Sequence, residues 1–410
     1  MRAVAFRKRL KAINIKRGDK FHMILLILCY KGTNIGMMLQ ALATVKYLEE
    51  NGIETTVLDY VPKDKSSSFF HKMRLAFKPG VIKTKMIKAK RRKMIEADPS
   101  LLEAYKIRMC GNVEYIKKYL GKIVKFTDAN ELRVACRNYD AVLVGSDQQW
   151  FPSAIHSDIN TLMFADESVK KISYATSFGV ASFPNSIKPR AKEFLSRIDH
   201  LSVREPSGAE IVKDVIGREP FVALDPTMLF DKNDWDRVLG LESVGEPKEK
   251  YIFTYFLGGN IEHRRSVMKL AEEKGLKVFA VRNLESFCKN EDNYVDEYIC
   301  ISSPEEFVSY LKNAEYMCTD SFHGSVFSIL YHVPFFTYLR YPDKDSNSRN
   351  ARIKDLLASI GAEGRLVFDK NDIISADGVQ LDFEKIDGII AERRKHSRRF
   401  LDNAVSGGDK

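Results

Sequence analysis

The six cysteines, Cys29, Cys110, Cys136, Cys288, Cys300 and Cys318, include no CxxC pair and no Cys/His spacing suited to zinc. That argues against a cysteine metal site. Several of them lie inside apolar runs, so they read as small buried hydrophobes in a reducing compartment, with no disulfide framework. Long apolar runs are also missing. MILLILCY near the start is about eight residues, against the ~20 needed to span a bilayer. It is followed by LQALATVKYLEENGIETTVLDY, a helix and a second strand, so it reads as the first strand of a βαβ unit rather than a signal peptide. The expectation is a cytoplasmic protein, with peripheral contact at the inner membrane face left open. Also absent are GxGxxG, the GK[ST] of a phosphate loop, any RNA or DNA module signature, and any repeat of 20 to 50 residues.

What is present is ordinary for a folded chain: 410 residues, 44% hydrophobic and 29% charged, long enough for two domains. The formal charge is +10, with much of the excess between Lys63 and Lys125. Such a face either is a solvated helical surface or attracts anions such as nucleic acid, anionic lipid or phosphorylated substrates.

Apolar runs alternate with helical segments throughout. HMILLILC, ETTVLDY, YDAVLVG, KISYATSFG, HLSVRE and PFVALDPT read as strands of a first domain. After the polar linker LGLESVGEPKEK, the strands YIFTYFLGG, LKVFAVRN, EYMCTD and PFFTYLRY follow. Ser303, Pro304 and Glu306 mark a helix start over PEEFVSYLKNA. The predicted class is α/β, with two doubly wound parallel sheets. The first domain covers 21–240, with a basic helical insertion at about 62–138, and the second covers 250–365. A last helix over 383–403 packs its apolar side on the body and leaves RRKHSRR solvated or facing a membrane.

Ligands of such folds bind beyond the carboxyl ends of the strands, where helix N-termini favour anions. The polar clusters of this chain fall there. Asn34 and Gly36 follow the first strand, Gly145 to Gln148 follow AVLV, and Ser177 follows ISYAT. Arg204 and Glu205 end LSV, Asp225 and Thr227 end FVAL, and Asp320, Ser321 and His323 end YMC. In SFHG, Ser321 and Ser325 offer donors, Gly324 permits close backbone approach, and His323 can pair with phosphate or give a proton. A second reading makes Asp320 and Ser321 plain helix caps, His323 a bonded core residue, GSDQQW an Asx turn and Arg204–Glu205 an ordinary ion pair.

Taken in order, TNIGMMLQAL, YDAVLVGSDQQW, KISYATSFG, LSVREPSGAEIV, VALDPTML, SPEEFVSYLKNAEYMCTDSFHGSVFSILYHVPF and RIKDLL resemble the polysaccharide pyruvyl transferase family, from about His22 to about Gly361. The resemblance implies two Rossmann-like domains facing across a cleft, as in glycosyltransferases of the B type. It also implies transfer of pyruvate from phosphoenolpyruvate to a sugar or lipid-linked oligosaccharide as a ketal, in surface or exopolysaccharide synthesis. No cofactor is implied, no metal constellation is visible, and nucleic acid is not an expected partner. By position, His323, Asp147 and Asp320 are the catalytic candidates. Asn34, Gly36, Gln40, Ser146, Gln148, Ser177, Arg204, Ser321, Gly324, Ser325 and Arg352 are the binding candidates. Asn34 and Gln40 are placed on the acceptor side, Arg204 on a carboxylate or phosphate, and Asp147 or Asp320 beside sugar hydroxyls or His323. Two departures stand out: Trp150, Phe151 and Pro152 where the family often has Asn before Pro, and both Arg349 and Arg352 where one arginine is expected. The competing functions are a nucleotide-sugar glycosyltransferase of the same architecture and a non-catalytic polysaccharide-assembly protein.

Overall fold

A computed structural model describes residues 23–62, 79–241, 249–286, 288, 290–342, 348–368 and 372–406. The basic N-terminus, the start of the basic stretch after Lys63 and most of the interdomain linker lie outside the described residues.

The first sheet has seven strands in the order β3-β2-β1-β4-β5-β6-β7, with every paired neighbour parallel. They are β1 (Met23–Ile27), β2 (Glu54–Tyr60), β3 (Lys122–Phe126), β4 (Ala141–Val144), β5 (Lys170–Thr176), β6 (His200–Val203) and β7 (Phe221–Val222). The second sheet is also parallel, in the order β10-β9-β8-β11-β12-β13. Its strands are β8 (Tyr251–Tyr255), β9 (Lys277–Val281), β10 (Glu297–Ile299), β11 (Tyr316–Thr319), β12 (Phe335–Tyr338) and β13 (Leu366–Val367). The central strands are buried on both faces, which is why they read as unbroken apolar runs. These are the two doubly wound domains expected. In each sheet the winding reverses once, between β1 and β4 and between β8 and β11. That reversal opens a crevice at the strand ends.

Helix α1 (Ile35–Glu50) leaves β1 with Asn34 as its N-cap, the carboxamide accepting from the Gly36 amide. The insertion folds as α2 (Pro79–Ala97) and α3 (Pro99–Tyr119). It ends earlier than the sequence indicated: β3 pairs with β2 from Thr56↔Lys122 to Tyr60↔Phe126, and α4 (Ala129–Cys136) follows. With Lys122 and Lys125 in its five residues, β3 lacks the apolar signature of a buried strand because it is an edge. The second sheet likewise extends past residue 365 through β13.

In the first domain the remaining helices are α5 (Lys188–Leu195), α6 (Pro206–Ile216) and α7 (Lys232–Leu239). In the second they are α8 (Ile261–Lys274), α9 (Pro304–Lys312), α10 (Phe322–Tyr331), α11 (Ala351–Ala358) and α12 (Asp372–Asp377). Ser303 caps α9 by accepting from the Glu306 amide, with Pro304 in the first turn. The last helix, α13 (Phe383–Val405), returns to the first domain and differs from expectation along RRKHSRR. Arg394 donates to the carbonyls of Met228 and Phe230, Arg398 to that of Leu229, and Ser397 Oγ accepts from the Leu224 amide. These side chains meet the open carbonyls of the 3-10 turn Pro226–Leu229, which no regular helix satisfies. No helix among the described residues is long and apolar enough to cross a membrane.

Candidate functional site

The two crevices face each other, and the clusters that follow their strands meet between the domains. His323 sits in the first turn of α10, which starts directly after β11 and is capped by Ser321 Oγ accepting from the Gly324 amide at 3.4 Å. Its ring lies against Gly36 at the start of α1: a Cβ there would stand 2.3 Å from His323 Nδ1. Only glycine lets the two helix N-termini approach this closely. The Ile35 amide also donates to Tyr255 Oη at 3.3 Å across the domain boundary.

On its other side, His323 Nε2 lies 3.6 Å from Asp225 Oδ2, beyond hydrogen-bond length, and makes no hydrogen bond among the described residues. Asp225 is the organising acid. Its Oδ1 accepts from the amide and hydroxyl of Thr227, and Oδ2 accepts from Ser146 Oγ at 2.9 Å and Arg204 Nη1 at 2.8 Å. Burial alone would raise its pKa, but His323 and Arg204 outweigh that and hold the carboxyl well below the usual range. Arg204 gives Nε to Glu205 at 2.7 Å and lays its guanidinium carbon 4.2 Å from the centre of the Phe322 ring. Burial works against its charge, and Glu205, Asp225 and Asp147 more than restore it.

Arg204 Nη2 is left over. It is buried without a hydrogen bond, 3.8 Å from Asp147 Oδ1, which is itself unpartnered. Arg352 of α11 points Nη1 at the same Asp147 oxygen from 3.8 Å, and its Nε is unpartnered too. Burial, with Arg204 nearby, pushes the Arg352 pKa down to about 10. Asp147 adopts φ 65°, a left-handed conformation that Asp tolerates better than most residues. Two guanidiniums, an imidazole and one carboxylate thus converge with unused polar atoms. Buried orphans of this kind are costly, so their concentration marks a place prepared for a ligand. Cations predominate among the orphans, and that chemistry fits an anion.

Several sequence candidates turn out to hold the scaffold. Gln40 does not line an acceptor pocket: it is fully buried, with Nε2 bonded to the Cys29 and Met37 carbonyls and Oε1 accepting from the Ser146 amide. Asp320 makes no hydrogen bond or ion pair to His323 among the described residues, and its partner Arg340 keeps a buried Nε without a hydrogen bond. The Asp320 carboxylate accepts from the Leu257 and Gly258 amides at 2.8 and 2.7 Å and meets Arg340. Ser325 Oγ bonds the Ser321 carbonyl and Thr337 Oγ1. Gly324 is required by Thr319, whose Oγ1 a Cβ would meet at 2.7 Å, and so by packing on β11. Ser177 Oγ accepts from the Gly179 amide and shapes its own turn. Gln148 keeps an unpartnered buried Oε1 next to Gly179, on the Phe151 side. Arg349 stacks 4.4 Å over the Phe151 ring, so the two arginines take different places: Arg352 by Asp147, Arg349 by Phe151.

Three neighbours of this cluster were not singled out in the sequence as such: Asp225 beside His323, Phe322 under Arg204, and Arg393 of α13. Arg393 lines a small cavity with Arg204, Asp225, Phe322, Arg352 and Asp355. Asp225 was visible as a strand-end residue, but LDPT is an unremarkable turn in sequence. Nothing local ties Arg393 to residues so far away. The gap is closed, with His323, Arg204 and Arg352 at 4, 4 and 7% exposure. Among the described residues, no group of three or more His, Cys, Asp or Glu is arranged to hold a metal ion.

Comparison with curated proteins gives no significant match. Among solved structures, UDP-N-acetylglucosamine 2-epimerase from Rickettsia bellii is similar with a TM-score of 0.49 at 10% identity, covering 93% of this chain and 96% of that one. UDP-GlcNAc 2-epimerase from Methanocaldococcus jannaschii scores 0.49 at 12% identity, covering 88% and 93%. E. coli heptosyltransferase WaaC with ADP scores 0.36 at 12% identity, covering 83% and 98%. The family model for polysaccharide pyruvyl transferase matches residues 34–342, a span that includes Gly36, Asp147, Arg204, Asp225 and His323. With three quarters of its length inside that match, this chain belongs to the polysaccharide pyruvyl transferase family, a family of enzymes.

Proposed function

We propose that the protein transfers pyruvate from phosphoenolpyruvate to a sugar as a cyclic ketal, on a free or lipid-linked precursor of a surface or exopolysaccharide. The observation that carries the reading is the convergence of Arg204 Nη2, Arg352 Nε and His323 Nε2, each buried and without a hydrogen bond among the described residues. Phosphoenolpyruvate brings a phosphate and a carboxylate, and two planar guanidiniums can grip either one bidentately.

In this reading His323 donates a proton to the methylene carbon of the donor, which becomes a methyl group. The adjacent carbon turns electrophilic and a sugar hydroxyl adds to it. The proton lost by that hydroxyl returns to the imidazole. A second hydroxyl displaces phosphate at the same carbon, its proton leaving with the phosphate. Two C–O bonds to the sugar form, one C–O bond to phosphate breaks, and no electron is gained or lost. Asp225, held ionised, faces the imidazole as its cationic form is restored, and Arg204 and Arg352 balance the charge on the departing phosphate. Asp147 and the unpartnered Gln148 Oε1 supply acceptors for sugar hydroxyls. Since the gap is closed around His323, substrates enter when the domains part. If the acceptor rides on a lipid, the exposed Lys90 and Lys93 of α2 suit contact with an anionic bilayer surface.

Incubation with phosphoenolpyruvate and candidate saccharides, following phosphate release and product mass, tests the reading. Saccharide-dependent phosphate release with a pyruvylated product supports it. Glycosyl transfer from a nucleotide sugar with no use of phosphoenolpyruvate overturns it.

A further inference from the structure

The basic insertion belongs to the first domain by chain order, yet several of its side chains are spent on the second. Helix α3 runs into β3, the edge strand of the first sheet, and its Asn112 and Tyr115 donate to the carbonyls of Gly32 and Met38, before and within the start of α1. From the same helix, Arg108 Nε donates to the Ile301 carbonyl at 3.4 Å. Lys118 Nζ and Tyr119 Oη both donate to Glu305 Oε1, at 2.9 and 2.6 Å. Ile301 follows β10 and Glu305 opens α9, so both acceptors lie in the second domain.

Gly111 sits among these contacts in the interior of a 21-residue helix, where glycine is a weaker helix former than alanine. A Cβ at Gly111 would stand 1.9 Å from the Ser302 carbonyl oxygen. Backbone meets backbone there, so no side chain can swing aside to make room. The glycine is explained by what α3 touches in the other domain, not by the helix that contains it.

Helix α2 adds a second contact across the boundary. Arg91 Nη1 pairs with Glu285 Oε2 at 2.8 Å, its Nη2 donates to Thr33 Oγ1, and Thr33 Oγ1 donates to Glu285 Oε1 at 2.6 Å. This ring of three joins the insertion, the turn between β1 and α1, and the second domain. Thr33 directly precedes the Asn34 cap and lies three residues before Gly36, against which the His323 ring rests.

We propose that α2 and α3 form a clasp that holds the second domain shut on the first and so positions the turn between β1 and α1 beside His323. Its two catches are Gly111 on Ser302 and the ring of Arg91, Thr33 and Glu285. Arg91, Gly111 and Glu285 are positioning residues in this scheme, and none of them bonds to the cluster around His323. Opening of the closed gap requires both catches to let go, so the clasp sets the fraction of molecules able to admit a ligand. The inference does not rest on the pyruvyl-transfer reading, because closure is a property of the ligand-free chain.

Hydrogen exchange of the ligand-free full chain, read by mass spectrometry, tests the clasp. Gly111→Ala adds the methyl group that Ser302 excludes while raising the helix propensity of α3, so faster exchange cannot come from a weaker helix. Arg91→Glu sets two acids against each other at Glu285, and Arg91→Glu combined with Glu285→Arg restores the pair in reverse. Each single variant is expected to exchange about tenfold faster over 33–38 and 300–306, the segments that meet across the boundary, while β1 and β4 keep wild-type rates. The reversed pair should return both segments close to the wild-type rate. Wild-type exchange over both segments in both single variants and in their combination, acceleration that spreads to β1 and β4, or no recovery in the reversed pair overturns the proposal.

Discussion

Asp225 and Asp320 stand at matching places, each at a strand end of its own domain and each 1% exposed. Sequence makes Asp320 the better catalytic candidate, because it lies three residues from His323. The contacts of the two differ. Asp320 gives its carboxylate to two backbone amides and Arg340, pinning the turn after β8 to that after β11. Asp225 binds Arg204 and Ser146 and faces the imidazole from the other domain. A carboxylate at a strand end is therefore not a function in itself; what its oxygens meet decides the matter.

The sharpest way to press this comparison starts from the group Asp225 faces. His323→Ala should lower turnover by about 10²- to 10⁴-fold, the usual worth of a positioned acid, while circular dichroism and the melting temperature stay close to wild type. Next comes Asp225→Asn, which removes one side of a buried ion pair and leaves Arg204 undercompensated. Denaturant unfolding should show a loss of about 3 kcal/mol or more, and turnover should fall at least tenfold in protein that is still folded. Asp320→Asn should behave otherwise. Stability drops by about 1 to 3 kcal/mol as one amide loses its acceptor, while turnover changes by less than tenfold. A catalytic collapse in Asp320→Asn with stability intact would invert the two roles.

Acid titration gives a smaller contrast. The Asp225 pKa is lowered on folding, so the stability it lends is present above the ordinary carboxylate value of about 3.9 and is lost as pH falls through the lower folded value. His263 acts in a different window. Burial depresses its pKa to about 4, so the unfolded chain takes up a proton first and stability falls from about pH 6.5 toward pH 4, by roughly 3 kcal/mol. Thermal melts across that range should flatten in His263→Gln, whereas Asp225→Asn should change only the steeper loss below about pH 4.

Much of the fold was legible because parallel strands buried on both faces leave unbroken apolar runs. Ile24 to Ile27, Ala141 to Val144 and Ile252 to Tyr255 are of this kind. Strand β3, with two lysines in five residues, and the very short β10 and β13 carried no such signal, because edges are half solvated. Within the site, residues next to a strand end were legible, and SFHG, GSDQ and SVRE do gather in one gap. Partnerships across domains were not. The Asp225–His323 approach spans both sheets, the Gly36–His323 contact joins two helix N-termini, and Arg393 arrives from a helix whose basic run looked solvated. Gln40 and Ser325 spend their polar atoms on the fold, because polar groups near a strand end also serve to satisfy the backbone of the turn itself.

The most direct test of the central claim is the melting temperature of the intact protein with phosphoenolpyruvate and, separately, with UDP, in wild type and in Arg352→Met. The account predicts that phosphoenolpyruvate raises the wild-type value by several degrees, that UDP does not, and that Arg352→Met largely abolishes the rise. Stabilisation by UDP with no response to phosphoenolpyruvate would contradict it.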